Sequence, residues 1–116
     1  MKLKDIAGLI DGEIIVKGKA DSIDIVSVCS SDLMSDVLRF AAKGALLVTA
    51  LNQTQVIRTA EIADIAAVLM VLGKKMEKDM IELAKEKNIA LMVTHLPAFT
   101  VCGMLYVGGL RSCLEE

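Results

Sequence analysis

The chain has 116 residues, enough for one hydrophobic core, so residues 1–116 are expected to form a single domain. Hydrophobic residues make up 54% and charged residues 24%, and proline occurs once, which excludes a disordered or low-complexity segment. Thirteen basic against fifteen acidic side chains leave a net charge of −2, and aromatics are only 3%, a balance that argues against DNA wrapping, base stacking and a polybasic membrane surface. Charged residues interrupt what would be the apolar core of a signal peptide. The longest apolar stretch, 65–72, is too short to span a bilayer, so a cytoplasmic location is expected. Cys29, Cys102 and Cys113 are odd in number and widely spaced, which argues against a secreted disulfide framework.

Leu3, Ile6, Ala7 and Ile10 repeat at helical spacing up to an Asp11-Gly12 turn, and residues 13–17 follow as a strand closed by Gly18. The β-branched run 25–29 predicts a second strand. A helix then places Leu33, Met34, Val37, Leu38 and Ala41 on one face, with Gly44 as its left-handed terminator. Residues 45–49 form the next strand, and Asn52 with Gln55 offers a capping box to a helix burying Val56, Ile57, Ala60 and Ala63. Residues 66–71 are a further strand. Met76, Met80, Ile81 and Ala84 line a charged helix ended by Asn88, residues 89–93 are the next strand, and Pro97 opens the last helix. The seven methionines read as core filler.

Strands that are apolar throughout, alternating with amphipathic helices, predict an α/β fold of three layers, a mainly parallel sheet with helices on both faces. Right-handed crossovers bring the strand C-termini to one edge, where open α/β sheets bind their ligands. Ser30, Ser31, Asp32, Thr49, Asn52, Gly73, Lys74, Thr94 and His95 fall on that edge. The last helix differs from the others. Ala98, Phe99, Val101, Cys102, Met104, Leu105, Val107 and Leu110 leave little polar surface around it, which predicts burial on more than one side and hence a homodimer.

Each polar residue at the edge has two readings. Asp32, with Ser30 and Ser31, is a helix cap or a carboxylate presented to a ligand. Asn52 is a cap or a hydrogen-bonding partner for a small molecule, and Thr54 follows it. Arg58 and Glu61 form a surface ion pair, or Arg58 turns to the edge to hold an anion. His95, the sole histidine, has no carboxylate partner identifiable in the sequence and is structural, exposed or an acid–base group. A Cys29–His95 pair is conceivable in space but lacks an orienting third group, Cys102 is placed in the core, and Cys113 lies near a frayed terminus. Gly73-Lys74-Lys75 lacks the remainder of a phosphate-binding loop, no dinucleotide fingerprint follows the second strand, and neither a metal nor another cofactor is expected.

Residues 28–38, Val-Cys-Ser-Ser-Asp-Leu-Met-Ser-Asp-Val-Leu, resemble the Ser-Asp-Leu-hydrophobic-Ser-Asp-Val stretch of small DRTGG-domain proteins. Residues 52–61, 88–94 and 99–106 are similar to the same family, so the resemblance covers nearly the whole chain. It implies a fold like the N-terminal domain of HPr kinase/phosphorylase. Similar domains occur inside phosphotransacetylases and between the CBS modules of some pyrophosphatases, as accessory units associated with regulation or dimer contact. Free-standing members have no assigned reaction, and some are encoded near iron-only hydrogenase genes in anaerobes. Asp32 matches the Asp of the family's name motif, whereas Leu33, Met34, Ser35 and Asp36 stand where Arg, Thr and two Gly would follow. Pro97 replaces the small polar helix cap of relatives.

The expected function is therefore a non-enzymatic, dimeric regulatory module that takes a nucleotide or small anionic metabolite, with Ser31, Asp32, Asn52, Thr54 and His95 as its lining. The alternatives are an assembly module docking a protein partner through the last helix, and a small enzyme using Cys29 and His95.

Overall fold

The computed structural model of the chain describes residues 1–19 and 22–114. Helix α1 (Leu3–Leu9) buries Leu3 and Ile6, and the Asp5 carboxylate closes its first turn by accepting the Lys2 N–H at 3.3 Å. Asp11, at φ +53, reverses the chain into strand β1 (Gly12–Val16). From there strands and helices alternate: β2 (Ser27–Ser30), α2 (Met34–Phe40), β3 (Leu46–Thr49), α3 (Thr54–Ala63), β4 (Ala67–Met70), α4 (Lys78–Lys87), β5 (Ala90–Thr94), α5 (Ala98–Val107) and β6 (Arg111–Ser112). Asp64 and Asn88, at φ +58 and +59, terminate α3 and α4, a left-handed position that short polar side chains tolerate.

The six strands form one sheet in the order β1-β5-β4-β3-β2-β6. All neighbours from β5 to β6 are parallel, and β1 pairs antiparallel with β5, its register shifting between Ile14 and Val16. The chain steps from β2 through β3 and β4 to β5 in one direction, so right-handed crossovers lay α2, α3 and α4 on one face. Then α5 returns over the opposite face, beside α1 and across β3, to deliver β6 to the far side of β2. This is the three-layer α/β fold with helices on both faces that the sequence predicts.

Side chains alternate across the central strands and feed two cores. Leu46, Val48, Leu69 and Met92 join Leu3, Ile6, Val101 and Leu105 beneath α1 and α5. Leu47, Val68, Met70 and Leu91 join Val37, Val56, Ile57, Met80 and Ala84 beneath α2–α4. At about 25 cal/mol per Å² of apolar area, the fully buried β3 and β4 side chains carry a large share of the stability. No helix among the described residues is long and apolar enough to cross a membrane.

Several local expectations are corrected. In α2 only Met34 and Val37 are buried; Leu33 and Leu38 are exposed, and Ala41 lies outside the helix, which stops early in extended backbone. Gly44 is left-handed, at φ +81, but sits in the turn before β3, where its N–H donates to the Asp64 carbonyl at 2.8 Å. Pro97 is the N-cap of α5 rather than its first residue. Cys113 does not lie in a frayed end: β6 precedes it, and its N–H donates to the Val28 carbonyl at 3.2 Å.

Candidate functional site

The C-terminal ends of β2, β3, β4 and β5 converge on one edge, as parallel strands must. Ser31 extends the ladder by donating its N–H to the Val48 carbonyl at 3.1 Å. Its hydroxyl accepts the Leu33 N–H at 3.0 Å, a local turn that leads into α2. The N-cap of α2 is Leu33, without a side-chain bond, so Asp32 is not the helix cap. Instead its Oδ1 accepts the Thr49 hydroxyl at 2.9 Å and the Ala50 N–H at 2.8 Å, joining the end of β2 to the end of β3.

The capping box expected from Asn52 and Gln55 is also absent, because Gln53 holds the N-cap position of α3. Asn52 reaches across to the β4–α4 loop, where Nδ2 donates to the Lys75 carbonyl at 2.8 Å and Oδ1 accepts the Glu77 N–H at 3.1 Å. Glu77 is the N-cap of α4, so Asn52 satisfies a backbone group at the start of the next helix, not its own. Lys74 completes the strip by donating from Nζ to the Ala50 carbonyl at 2.8 Å. Thr54 begins α3 and is half-buried. Asp32, Asn52 and Lys74 thus stitch three consecutive loops together, while Ser31 shapes the turn of its own loop.

His95 lies apart, beyond β4. Loops leaving β4 and β5 run to opposite faces of the sheet, toward α4 and α5, which makes this pair of strand ends the switch point of the topology. Asp11, Glu13, Gly73, Lys74, Thr94 and His95 enclose an open cavity there of about 310 Å³. His95 does have a carboxylate neighbour: its Nδ1 is 3.6 Å from the Asp11 Oδ2, and both side chains are exposed. Thr94 anchors the floor, its buried hydroxyl donating to the Ile10 carbonyl at 2.8 Å. The arrangement offers an imidazole and an ammonium to a polar ligand, with two carboxylates alongside. Asp11 was not signalled by its own neighbourhood in the sequence, since it meets His95 only through the β1–β5 pairing.

The sequence pairing of Arg58 with Glu61 gives way to a longer-range one: Glu61 meets Lys87 of α4 at 3.4 Å, while Arg58 is exposed. Cys29 and His95 end strands three spacings apart, about 14 Å at the usual interstrand distance, so they do not form a catalytic pair. Burial pushes the Cys29 thiol up, and the adjoining Cys113 and Asp36 add to the shift.

A second feature lies on the outer face of α5. Leu9, Phe99, Gly103, Met104 and Val107 line an apolar groove of about 480 Å³. Phe99 and Val107 are 92% and 89% exposed. Only Val101 and Leu105 of this helix are fully buried. At its C-terminal end the Arg111 guanidinium stacks 4.7 Å from the Tyr106 ring centre and donates to the Leu110 carbonyl at 2.9 Å, fixing the turn into β6.

Among solved structures, the fold is similar to the crystal structure of the CBS and DRTGG domains of the regulatory region of Clostridium perfringens pyrophosphatase, complexed with the activator diadenosine tetraphosphate. The TM-score is 0.73 at 16% identity, over 90% of this chain and 45% of that one. This chain therefore spans less than half the length of that neighbour. No curated protein matches the chain. The DRTGG domain profile matches residues 5–106, from the first turn of α1 to the last turn of α5. On the strength of that match, the chain belongs to the DRTGG domain family.

Proposed function

We propose that this chain is a non-enzymatic regulatory module that works as a homodimer paired through α5 and takes a small anionic ligand, such as a nucleotide, at the C-terminal strand edge. The observation that carries the reading is the outer face of α5, where Phe99 and Val107 flank Gly103 one turn away on either side. A large side chain beside a side-chain-free position on the same stripe is self-complementary, as a twofold contact requires. Exposed aromatic and aliphatic groups of this size are the usual anchors of a pairing surface. The family's place in a regulatory region that was crystallised with a dinucleotide activator supports the ligand half. At the switch-point cavity the exposed Lys74 supplies a cationic contact and the exposed His95 imidazole a hydrogen-bonding one, while Ser31, Asp32, Asn52 and Thr54 follow β2 and β3 on the same strand edge.

Sedimentation equilibrium over a wide concentration range tests the pairing. The wild type is expected to give a dimer mass, and Phe99→Asp a monomer mass with unchanged circular dichroism. A monomer at every concentration refutes the dimer and leaves α5 to a different protein partner. Thermal-shift titration with diadenosine tetraphosphate and simpler nucleotides tests the ligand. Saturation at a hundred times Kd stabilises by about 2.7 kcal/mol. His95→Ala and Lys74→Ala are expected to weaken that shift, and no shift with any anion refutes the ligand.

A further inference from the structure

Cys29 and Cys113 face each other across β2 and β6. The register pairs Ser27 with Arg111 and Val28 with Ser112, and the Cys113 N–H donates to the Val28 carbonyl at 3.2 Å. That bond carries the parallel ladder one residue past β6 and makes Cys29 and Cys113 the next lateral pair. Lateral partners in a ladder point to the same face, and both thiols pack against the core beneath α2–α4. Neighbouring strands lie about 4.8 Å apart. This falls within the Cα separations of about 4.4–6.8 Å that a disulfide accepts. Both cysteines are free and half-buried, and they line one open cavity of about 320 Å³ with Asp36, Phe40 and Leu114. A small reagent can enter there. Cys102 is on α5 and packs against the opposite core, so it is no competitor.

We propose that Cys29 and Cys113 form a redox-modification site that closes to an intramolecular disulfide by exchange with a low-molecular-weight disulfide. In the first step the Cys113 thiolate attacks one sulfur of the reagent, forming a mixed disulfide and releasing one thiol. In the second, Cys29 loses its proton to solvent and attacks the Cys113 sulfur, releasing the second thiol. Two protein thiols are oxidised and one reagent disulfide is reduced to two thiols, which take up the two protons. Burial, the main cause of the raised Cys29 thiol, makes it a poor first nucleophile and suits it to the resolving step. Closure ties the short terminal strand to β2 covalently. The site is on the sheet face away from α5, so it stands independently of pairing through that helix.

The test uses the whole chain, equilibrated with oxidised glutathione, quenched by alkylation and mapped by non-reducing proteolysis and mass spectrometry. The expected result is a cross-linked pair of peptides containing Cys29 and Cys113, with Cys102 alkylated and the chain lighter by two hydrogens. Amide exchange at Cys113 is expected to slow by about tenfold in the oxidised form and to recover with dithiothreitol. Cys29→Ser is expected to stop at a stable glutathione adduct on Cys113. Stable adducts on the wild type, a link to Cys102, or alkylation of both thiols after exchange would each overturn the proposal. The wild-type map decides the matter even if the variant does not fold.

Discussion

Replacing Asp32 with alanine removes the acceptor of two hydrogen bonds, from the Thr49 hydroxyl at 2.9 Å and the Ala50 N–H at 2.8 Å. A hydrogen bond to a charged acceptor contributes about 1.5–3 kcal/mol. Asp32 is exposed, however, and water can take its place at Ala50, which reduces that share. Thr49 differs, because it is only 1% exposed and its hydroxyl would be left as a buried donor without its acceptor. That penalty is about 1–3 kcal/mol. The expected loss is therefore about 2 kcal/mol, or roughly 8 °C in melting temperature for a domain of this size. Urea unfolding at matched protein concentration, with unchanged slope, measures it. Thr49→Val and the double variant complete a cycle whose coupling is expected to be about 1 kcal/mol. The Leu51 N–H, which Thr49 Oγ1 accepts at 3.2 Å, is lost in both backgrounds and cancels. A loss below about 0.5 kcal/mol for Asp32→Ala, or simple additivity, would refute the structural role and leave ligand contact as the reason for this carboxylate.

Gly18→Ala is expected to cost at least about 2 kcal/mol. Gly18 sits at φ +58, and a Cβ there would fall 2.4 Å from the Ala90 nitrogen, whereas Gly44→Ala at φ +81 meets open space and bears the backbone strain alone. Equal losses by chemical denaturation would contradict this. Met80→Ala, fully buried between α4 and the sheet, is expected to lose about 2–5 kcal/mol, measured the same way, and a loss under 1 would mean the site collapses freely. The N-terminal ammonium donates to Asp24 at 2.5 Å and holds its carboxyl below the ordinary 3.8. A depressed folded value means the contribution is present above the unfolded value and lost as pH falls through the folded one. The stability difference between wild type and Asp24→Asn is therefore expected to shrink in acid below pH 3.8, and growth of that difference would refute the pairing.

The alternation of strands and helices was legible because each signal is local. Apolar runs such as 66–71 sit between punctuating residues, and Asn88 alone ends α4 in its left-handed conformation. The edge carrying the polar residues followed from the parallel topology. The partners of those residues did not follow, because each spans a crossover: Asp32 reaches 17 residues on to Thr49, and Asn52 reaches 23 and 25 residues on to the β4–α4 loop. Local propensity assigns such side chains to the nearest helix N-terminus, and tertiary contacts claim them first. The two-residue strand β6 was missed for the same reason, since nothing near Arg111 announces a ladder with Ser27. The end of α2 was overextended because Leu38 and Ala41 keep helical spacing although only one turn of the helix faces the core.

The return of α5 across the sheet makes it a strut between opposite ends of the molecule. Its first residue follows closely on His95 at the switch-point cavity, and its last turn leads, through Leu110, into the strand that carries Cys113 toward Cys29. Ten helical residues make a rigid rod of about 15 Å. A small tilt forced at one end is delivered at the other with little loss, and the outer surface of the rod sweeps through the same angle. The switch-point cavity at its start, the exposed apolar stripe along its length and the turn into β6 at its end thus share one rigid element.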